Sequence, residues 1–270
     1  MMNPLRLLRR RDRISVVRLE GVIGAGARFG APALTDASLA PLFEVAFRRG
    51  RPKAVALAIN SPGGSPAQSS LIAARVRRLA DERGIPVHAF VEDVAASGGY
   101  WLAVAADRIH LDPNSIVGSI GVISASFGFH ELIARHGAER RVHTAGEDKS
   151  LLDPFRPERP EDVDRLKRLQ GVIHENFIAH VRARRGSRLS GDKLFTGDIW
   201  VGQAGVDAGL ADDIGHLVPV MRRLYGEKIR FSVLTPRRPI LRRLGLPGVG
   251  DVLEAVEARA LWSRYGLPAR

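Results

Sequence analysis

From Ile14 onward, short β-rich apolar runs alternate with stretches whose apolar residues recur at helical spacing, the pattern of an α/β domain joined by crossover connections. Ile14 to Leu19 (ISVVRL) predicts a first strand ending at Gly21, and Ala37 to Arg49 predicts a helix. Ala54 to Ile59 (AVALAI) sets Val55, Leu57 and Ile59 on one face with alanines opposite, as expected of a strand covered on both sides. That strand runs into the turn Asn60-Ser61-Pro62-Gly63-Gly64, after which Ile72, Val76 and Leu79 recur at i, i+4 and i+7 along a helix. Pro86 to Val91 predicts a third strand, followed by a segment from Ala96 to Ala106 that is rich in small residues and opens on Ser97-Gly98-Gly99. Arg108 to Leu111 predicts a fourth strand, closed by Asp112-Pro113-Asn114.

Next come the glycine-spaced run Gly118-Ser119-Ile120-Gly121, a helix near His130 to His136, a short strand near Val142, and Lys149 just beyond it. Pro160 favours a first helical turn, and Val163, Leu166, Ile173, Phe177 and Val181 mark one side of a long amphipathic helix. At roughly 25 residues and 1.5 Å rise this helix spans about 37 Å, a length suited to an assembly interface. Phe195 to Gly215 reads as loops and turns, followed by a short helix and a strand at Ile229 to Leu234. After Pro236 arginine, proline and glycine dominate, with one modest helix near Val252 to Trp262. The expected organisation is one domain over residues 14–235, a basic N-terminal segment at 1–13 and a basic C-terminal tail at 236–270.

Composition narrows the chemistry. With 270 residues, 45% of them hydrophobic, the chain can bury a full-sized core. Cysteine is absent, which removes disulfides, thiolate nucleophiles and cysteine-ligated metal centres. The net charge is +12, yet lysine occurs only at Lys53, Lys149, Lys167, Lys193 and Lys228. Arginine keeps its proton in proteins, so an amine base must be one of these five. The first 13 residues, MMNPLRLLRRRDR, hold no apolar run of signal-peptide or membrane-spanning length. The expectation is a cytoplasmic protein without signal peptide or transmembrane segment, with peripheral contact to anionic membrane through this basic segment as its one route to a bilayer.

Acyl transfer needs a nucleophile, a base and donors for the oxyanion. Ser97 opens a helix directly after a strand, at the positive end of the helix. The Gly98 N–H faces the same point. The Gly63-Gly64 turn, at the end of the neighbouring strand, supplies backbone that can approach a substrate closely, and two such donors make an oxyanion hole. Taken singly, Ser-Gly-Gly is a plain helix start and Pro-Gly-Gly a plain turn; both follow β-rich runs and can meet at one end of a sheet.

These residues also carry a family resemblance. Phe90 to Val122, with Asp93-Val94-Ala95-Ala96-Ser97-Gly98-Gly99-Tyr100-Trp101 and Val117-Gly118-Ser119-Ile120-Gly121-Val122, resembles the signal peptide peptidase A (protease IV) family. Asn60 to Gly64, and Gly146 through Lys149 to Pro154, match it as well, in the family's order, so the similarity spans about Ile14 to Leu234. The resemblance implies the α/β ClpP/crotonase-like fold of repeated β-β-α units and a serine-lysine dyad. It implies Ser97 as nucleophile, Lys149 as general base, Ser119 as the hydroxyl orienting the amine, and Gly98 with Gly63 and Gly64 as oxyanion hole. It further implies peptide substrates with small or apolar residues, and a homo-oligomer that shares the dyad between subunits. A lysine base must be neutral, and lowering an amine from about 10.4 to about 7.5 disfavours its charge by about 4 kcal/mol; Glu147 and Asp148 are therefore expected to point away from the amine.

Three alternatives stand beside this reading. A Ser-His-Asp triad has His88, His110, His130, His136, His143, His174, His180 and His216 to draw on. A crotonase-like acyl-CoA hydratase or isomerase would use the same backbone donors, with Glu92 and Asp93 as carboxylates. A non-catalytic scaffold binding nucleic acid or anionic membrane would use the +12 charge, but aromatics make up only 6% and no nucleic-acid motif accompanies the arginines, which disfavours nucleic acid. No metal-binding, phosphate-binding or dinucleotide signature is present, so neither metal nor cofactor is expected.

Overall fold

The computed structural model of the chain describes residues 12–24, 34–146, 149–235 and 259–266. Most of the basic N-terminal segment, Glu147 and Asp148 with their expected orientation, and the C-terminal tail up to residue 258 lie outside the described residues. The chain divides into two compact units, one built from the part up to Ile120 and the part from Ile178 onward, the other from Gly121 to Phe177.

The first unit is organised by one sheet of eight strands. Strand β1 (Arg13–Glu20) leads through helix α1 (Asp36–Arg48) to β2 (Ala54–Ser61), then through α2 (Pro66–Arg83) to β3 (Val87–Ala96). A capping box between Thr35 and Ser38 starts α1. Ser65 caps α2 ahead of Pro66, and Gly84 ends it in the left-handed conformation that glycine adopts freely. β1, β2 and β3 pair in parallel. Every residue of β2 is buried, the signature of a central parallel strand.

Beyond β3 the sheet forks. Residues 88–91 of β3 pair with β4 (Arg108–Leu111), whereas residues 94–96 pair with β5 (Ile116–Gly118). Helix α3 (Gly98–Ala103) lies between β3 and β4 in sequence. The later part of the unit adds β6 (Ile199–Val201), antiparallel to β5, then α6 (Gln203–Asp207) and β7 (Asp213–Ile214), parallel to β4. It closes with α7 (Leu217–Tyr225) and β8 (Arg230–Leu234), which pairs with β1. Val220 and Met221 of α7 pack on Ile14, Val16, Ala54, Ala56, Ala58 and Phe90. Trp262 packs on Val94 and Ala96, with Ile116 and Tyr265 at its side.

The second unit contains α4 (His130–Arg135) and the first two-thirds of α5 (Pro160–Arg185), whose 26 residues match the predicted long helix. The strand expected near Val142 is not formed; Arg141 to Thr144 is irregular and largely exposed. An isolated alternation of three or four residues has no partner strand there to satisfy its backbone. The stretch read as loops from Phe195 to Gly215 holds β6, α6 and β7.

Candidate active site

Ser97 sits where β3 turns into α3. Its φ of +50° and ψ of −122° lie outside the ordinary regions for a side-chain-bearing residue, and such strain persists only where surrounding structure holds it. The holding contacts are visible. The Ser97 N–H donates to the Gly118 carbonyl at 2.9 Å, and the Ser97 carbonyl accepts from the Trp101 N–H at 3.0 Å. The side chain is half-buried, while Ala96, Gly98 and Gly99 on either side are buried.

The turn after β2 lies directly against this junction. Gly63 and Gly64 have φ of +106° and +143°, and a β-carbon on Gly63 would stand 2.8 Å from Ser97 Cβ and 2.9 Å from the Gly98 nitrogen. A β-carbon on Gly98 would come within 3.3 Å of the Gly64 nitrogen. The Ser97-Gly98 junction thus fills the side-chain space of Gly63, while that of Gly98 is filled first by Ser69 Oγ of α2 and that of Gly64 by the Ile23 backbone. The turn is held by Ile23, whose N–H donates to the Gly63 carbonyl at 2.8 Å and whose carbonyl accepts from Ser65 N–H at 2.9 Å. Asn60 anchors its other end: the buried side chain donates to Asp93 at 2.7 Å and accepts from the Val94 N–H at 3.3 Å.

Ser119 joins the same neighbourhood through the backbone, one residue after the Gly118 carbonyl that Ser97 uses. Its φ is +51°, and its N–H donates to the Asp198 carbonyl at 2.6 Å. Gly118 is pressed against β6, where a β-carbon would meet the Trp200 ring at 2.7 Å. The structure therefore brings Ser97, Gly98, Gly63, Gly64 and Ser119 together. Lys149 belongs to the second unit, exposed in a turn, its N–H 3.4 Å from the Gly146 carbonyl.

The model of Peptidase family S49 matches residues 80–228, more than half of the chain. The chain belongs to this peptidase family. The match contains Ser97, Ser119 and Lys149, and it bears out the resemblance to signal peptide peptidase A on which the fold was expected. Among S49 relatives, Protease 4 of Haemophilus influenzae is 34% identical over 210 residues, 76% of this chain and 33% of that protein. A Brucella melitensis protein named Na(+)/H(+) antiporter NhaA is 47% identical over 285 residues, covering 97% of this chain. The chain spans only 39% of that protein's length. Among the described residues, no helix is long and apolar enough to cross a membrane. The expected ClpP-like fold is borne out by a solved structure of the 1510-N membrane-bound stomatin-specific protease, with a TM-score of 0.52 at 13% identity over 92% of this chain and 98% of the other.

The S49 chain also holds a histidine-carboxylate pair of the kind a triad uses, and its surroundings decide its role. His110 Nδ1 is bonded to Asp213. Its Nε2 meets His88 Nδ1 at 3.2 Å, and His88 Nε2 meets the Tyr225 hydroxyl at 2.9 Å. This relay ends on a tyrosine, and both histidines are buried. Burial, helped by the neighbouring His110, pushes His88 down to about 4; burial also lowers His110 against the opposing pull of Asp213. It is a structural network tying α7 to β3, β4 and β7.

Asp198 and Trp200, which the sequence pattern places among loops and turns, and Ile23 also shape the site. They act through carbonyls, an N–H and an aromatic face, and the elements around them are a three-residue strand and two isolated bridges of Ile23, too short for periodicity to register. The glycine at 118 was the available signal, since a positive φ and a close neighbour both exclude a side chain there.

Proposed function

We propose that the chain is a serine endopeptidase in which Ser97 is the nucleophile and Lys149 the general base, acting on signal-peptide remnants or other small or apolar peptides. The observation that carries this reading is the packing of the Gly63-Gly64 turn onto the Ser97-Gly98 junction, so close that a β-carbon on Gly63 would stand 2.8 Å from Ser97 Cβ. Ser97 Oγ attacks the scissile carbonyl while its proton passes to the neutral Lys149 amine. The oxyanion that forms is held by the Gly98 N–H and by the Gly64 N–H. The Gly63 N–H is turned to Ser61 Oγ at 3.3 Å, which leaves Gly64 as the donor of that turn. The ammonium gives the proton to the leaving amine; water then loses a proton to the neutral lysine as it attacks the acyl-enzyme, and the lysine returns that proton to Ser97 Oγ as the ester bond breaks. Ser119, carried one residue from the Ser97 backbone partner, orients the amine.

The protease names of the curated relatives support hydrolysis. The stomatin-specific protease of the same fold, solved as a lysine-to-alanine variant with a substrate peptide bound, supports a lysine role. In this reading the dyad is completed within a homo-oligomer, Lys149 being supplied by a neighbouring subunit. The test is peptide hydrolysis by wild type, Ser97→Ala and Lys149→Ala at matched oligomeric state. Both variants should lose at least about a thousandfold in kcat, and mixing the two should restore part of the activity if the dyad crosses subunits. Wild-type turnover by Lys149→Ala would remove the lysine from the mechanism.

A further inference from the structure

The end of α3 remote from Ser97 is held by side chains that bond its backbone carbonyls and not Ser97 itself. In α3 and the turn after it, the last helical hydrogen bonds are taken by the carbonyls of Tyr100, Leu102 and Ala103. The carbonyls of Trp101, Val104, Ala105 and Ala106 receive side-chain donors instead. His180 Nε2 lies 3.2 Å from Trp101 O. Arg184 donates through Nε to Val104 O at 3.0 Å and through Nη2 to Ala106 O at 2.9 Å. Arg77, from α2, donates to Ala105 O at 3.2 Å. Helix-end carbonyls need such partners, and guanidinium groups at a negative helix end are also electrostatically favourable.

Both arginines converge on one carboxylate. Asp107 Oδ1 accepts from Arg77 Nη1 at 2.9 Å and from Arg184 Nη2 at 3.1 Å. Asp107 Oδ2 accepts from the N–H of Val87, the first residue of β3, at 2.8 Å, and the Asp107 N–H donates to the Val87 carbonyl at 2.8 Å. The strand that enters Ser97 and the helix that leaves it are therefore fastened to each other at the ends away from the serine. With those ends fixed, the β3–α3 connection has little freedom except the geometry seen, and the positive φ of Ser97 is held.

We propose that Arg77, Asp107 and Arg184 are positioning residues for hydrolysis: they hold Ser97 and the Gly98 N–H in attacking geometry by closing the β3–α3 unit from behind. This rests on the reading of Ser97 as nucleophile. Arg184 and Arg77 side chains are 28% and 19% exposed, so the clamp is partly shielded from solvent and a guanidinium is not interchangeable with an ammonium in it.

The test uses Arg184→Lys, which keeps charge and aliphatic stem but cannot reach Val104, Ala106 and Asp107 at once, beside Arg184→Gln and Arg77→Gln. Kinetics are read at a temperature where circular dichroism shows each variant fully native. The expected result is a kcat lowered about tenfold to a hundredfold with KM within about twofold of wild type, and partial recovery of an Arg184→Ala variant on adding methylguanidinium. A merely structural clamp would lower the melting temperature and leave kcat of the native fraction at the wild-type value; that result overturns the proposal. Ser97→Ala separates the two failures. If it is inactive while Arg184→Lys and Arg77→Gln turn over like wild type, the clamp fails alone. If Ser97→Ala still hydrolyses peptide, the nucleophile assignment falls and the clamp with it.

Discussion

At the residue scale the site depends on atoms that are missing. Gly63 lacks a β-carbon where one would collide with the opposite turn, and Gly98 lacks one where it would collide with Ser69 Oγ of α2. A Gly63→Ala substitution meets both a φ of +106° and a contact of 2.8 Å with Ser97 Cβ. It should cost about 1–3 kcal/mol of stability and displace Ser97 enough to depress kcat more than KM, which thermal melts and steady-state kinetics will separate. A second residue-scale effect lies in the buried histidines. His88 is held at about 4 in the fold against an ordinary 6.5, chiefly by burial and then by His110, with Arg108 acting in the same sense and Asp107 and Asp213 opposing. Its folded value is depressed, so the unfolded chain binds the proton first. The contribution is complete above pH 6.5 and is lost as pH falls towards 4, to a total of up to about 3 kcal/mol. Urea unfolding at pH 7.5 and pH 5 should show the protein weaker at pH 5, and a stability flat across this range would refute the assignment.

At the scale of elements, the C-terminal turns of α5 are fastened to the β7 side of the sheet by a buried ion pair. Arg185 Nη1 meets Asp212 Oδ2 at 2.9 Å and Arg185 Nε donates to the Gly209 carbonyl at 2.8 Å. With the Arg185 side chain 2% exposed, Asp212→Ala leaves a charge buried without its partner and should cost about 3–5 kcal/mol, read from the midpoint of denaturant unfolding. These elements also show what periodicity can and cannot reveal. Strands β1 to β4 and helices α1, α2 and α5 were legible because each repeats its apolar spacing over enough residues to distinguish a period of two from one of 3.6. Strands β5, β6 and β7 have three, three and two residues, and exist because the forked sheet supplies partners for them. The β3 strand was read too short for a related reason: the polar pair Glu92-Asp93 interrupts its apolar run at the fork, where pairing passes from β4 to β5. Of the site, the serine and glycine turns were readable from small residues after strands. The clamp on α3 was not, because Arg77, Asp107 and Arg184 are charged residues of the kind that ordinarily mark solvated faces, and only the fold brings them to one set of carbonyls.

For the molecule as a whole, membership of family S49 and a ClpP-like fold are set on a chain that spans part of its longer relatives. The sheet runs β6-β5-β3-β2-β1-β8 along its main path, so the first strand of the sequence lies inside it, between the second strand and the last. A chain ending at Gly226, without β8, should lose cooperative unfolding, since β1 then becomes an edge with a row of unpaired backbone groups; a single sharp thermal transition in that truncation would contradict this. The pairing of β1 with β8 also joins Arg13 to Ser232, 219 residues apart in sequence. During synthesis β1 emerges well before β8, and its outer side stays uncovered until the residues between them have been translated. A ribosome-bound copy interrupted before β8 therefore carries β1 as an open edge, free to pair with a strand of another chain.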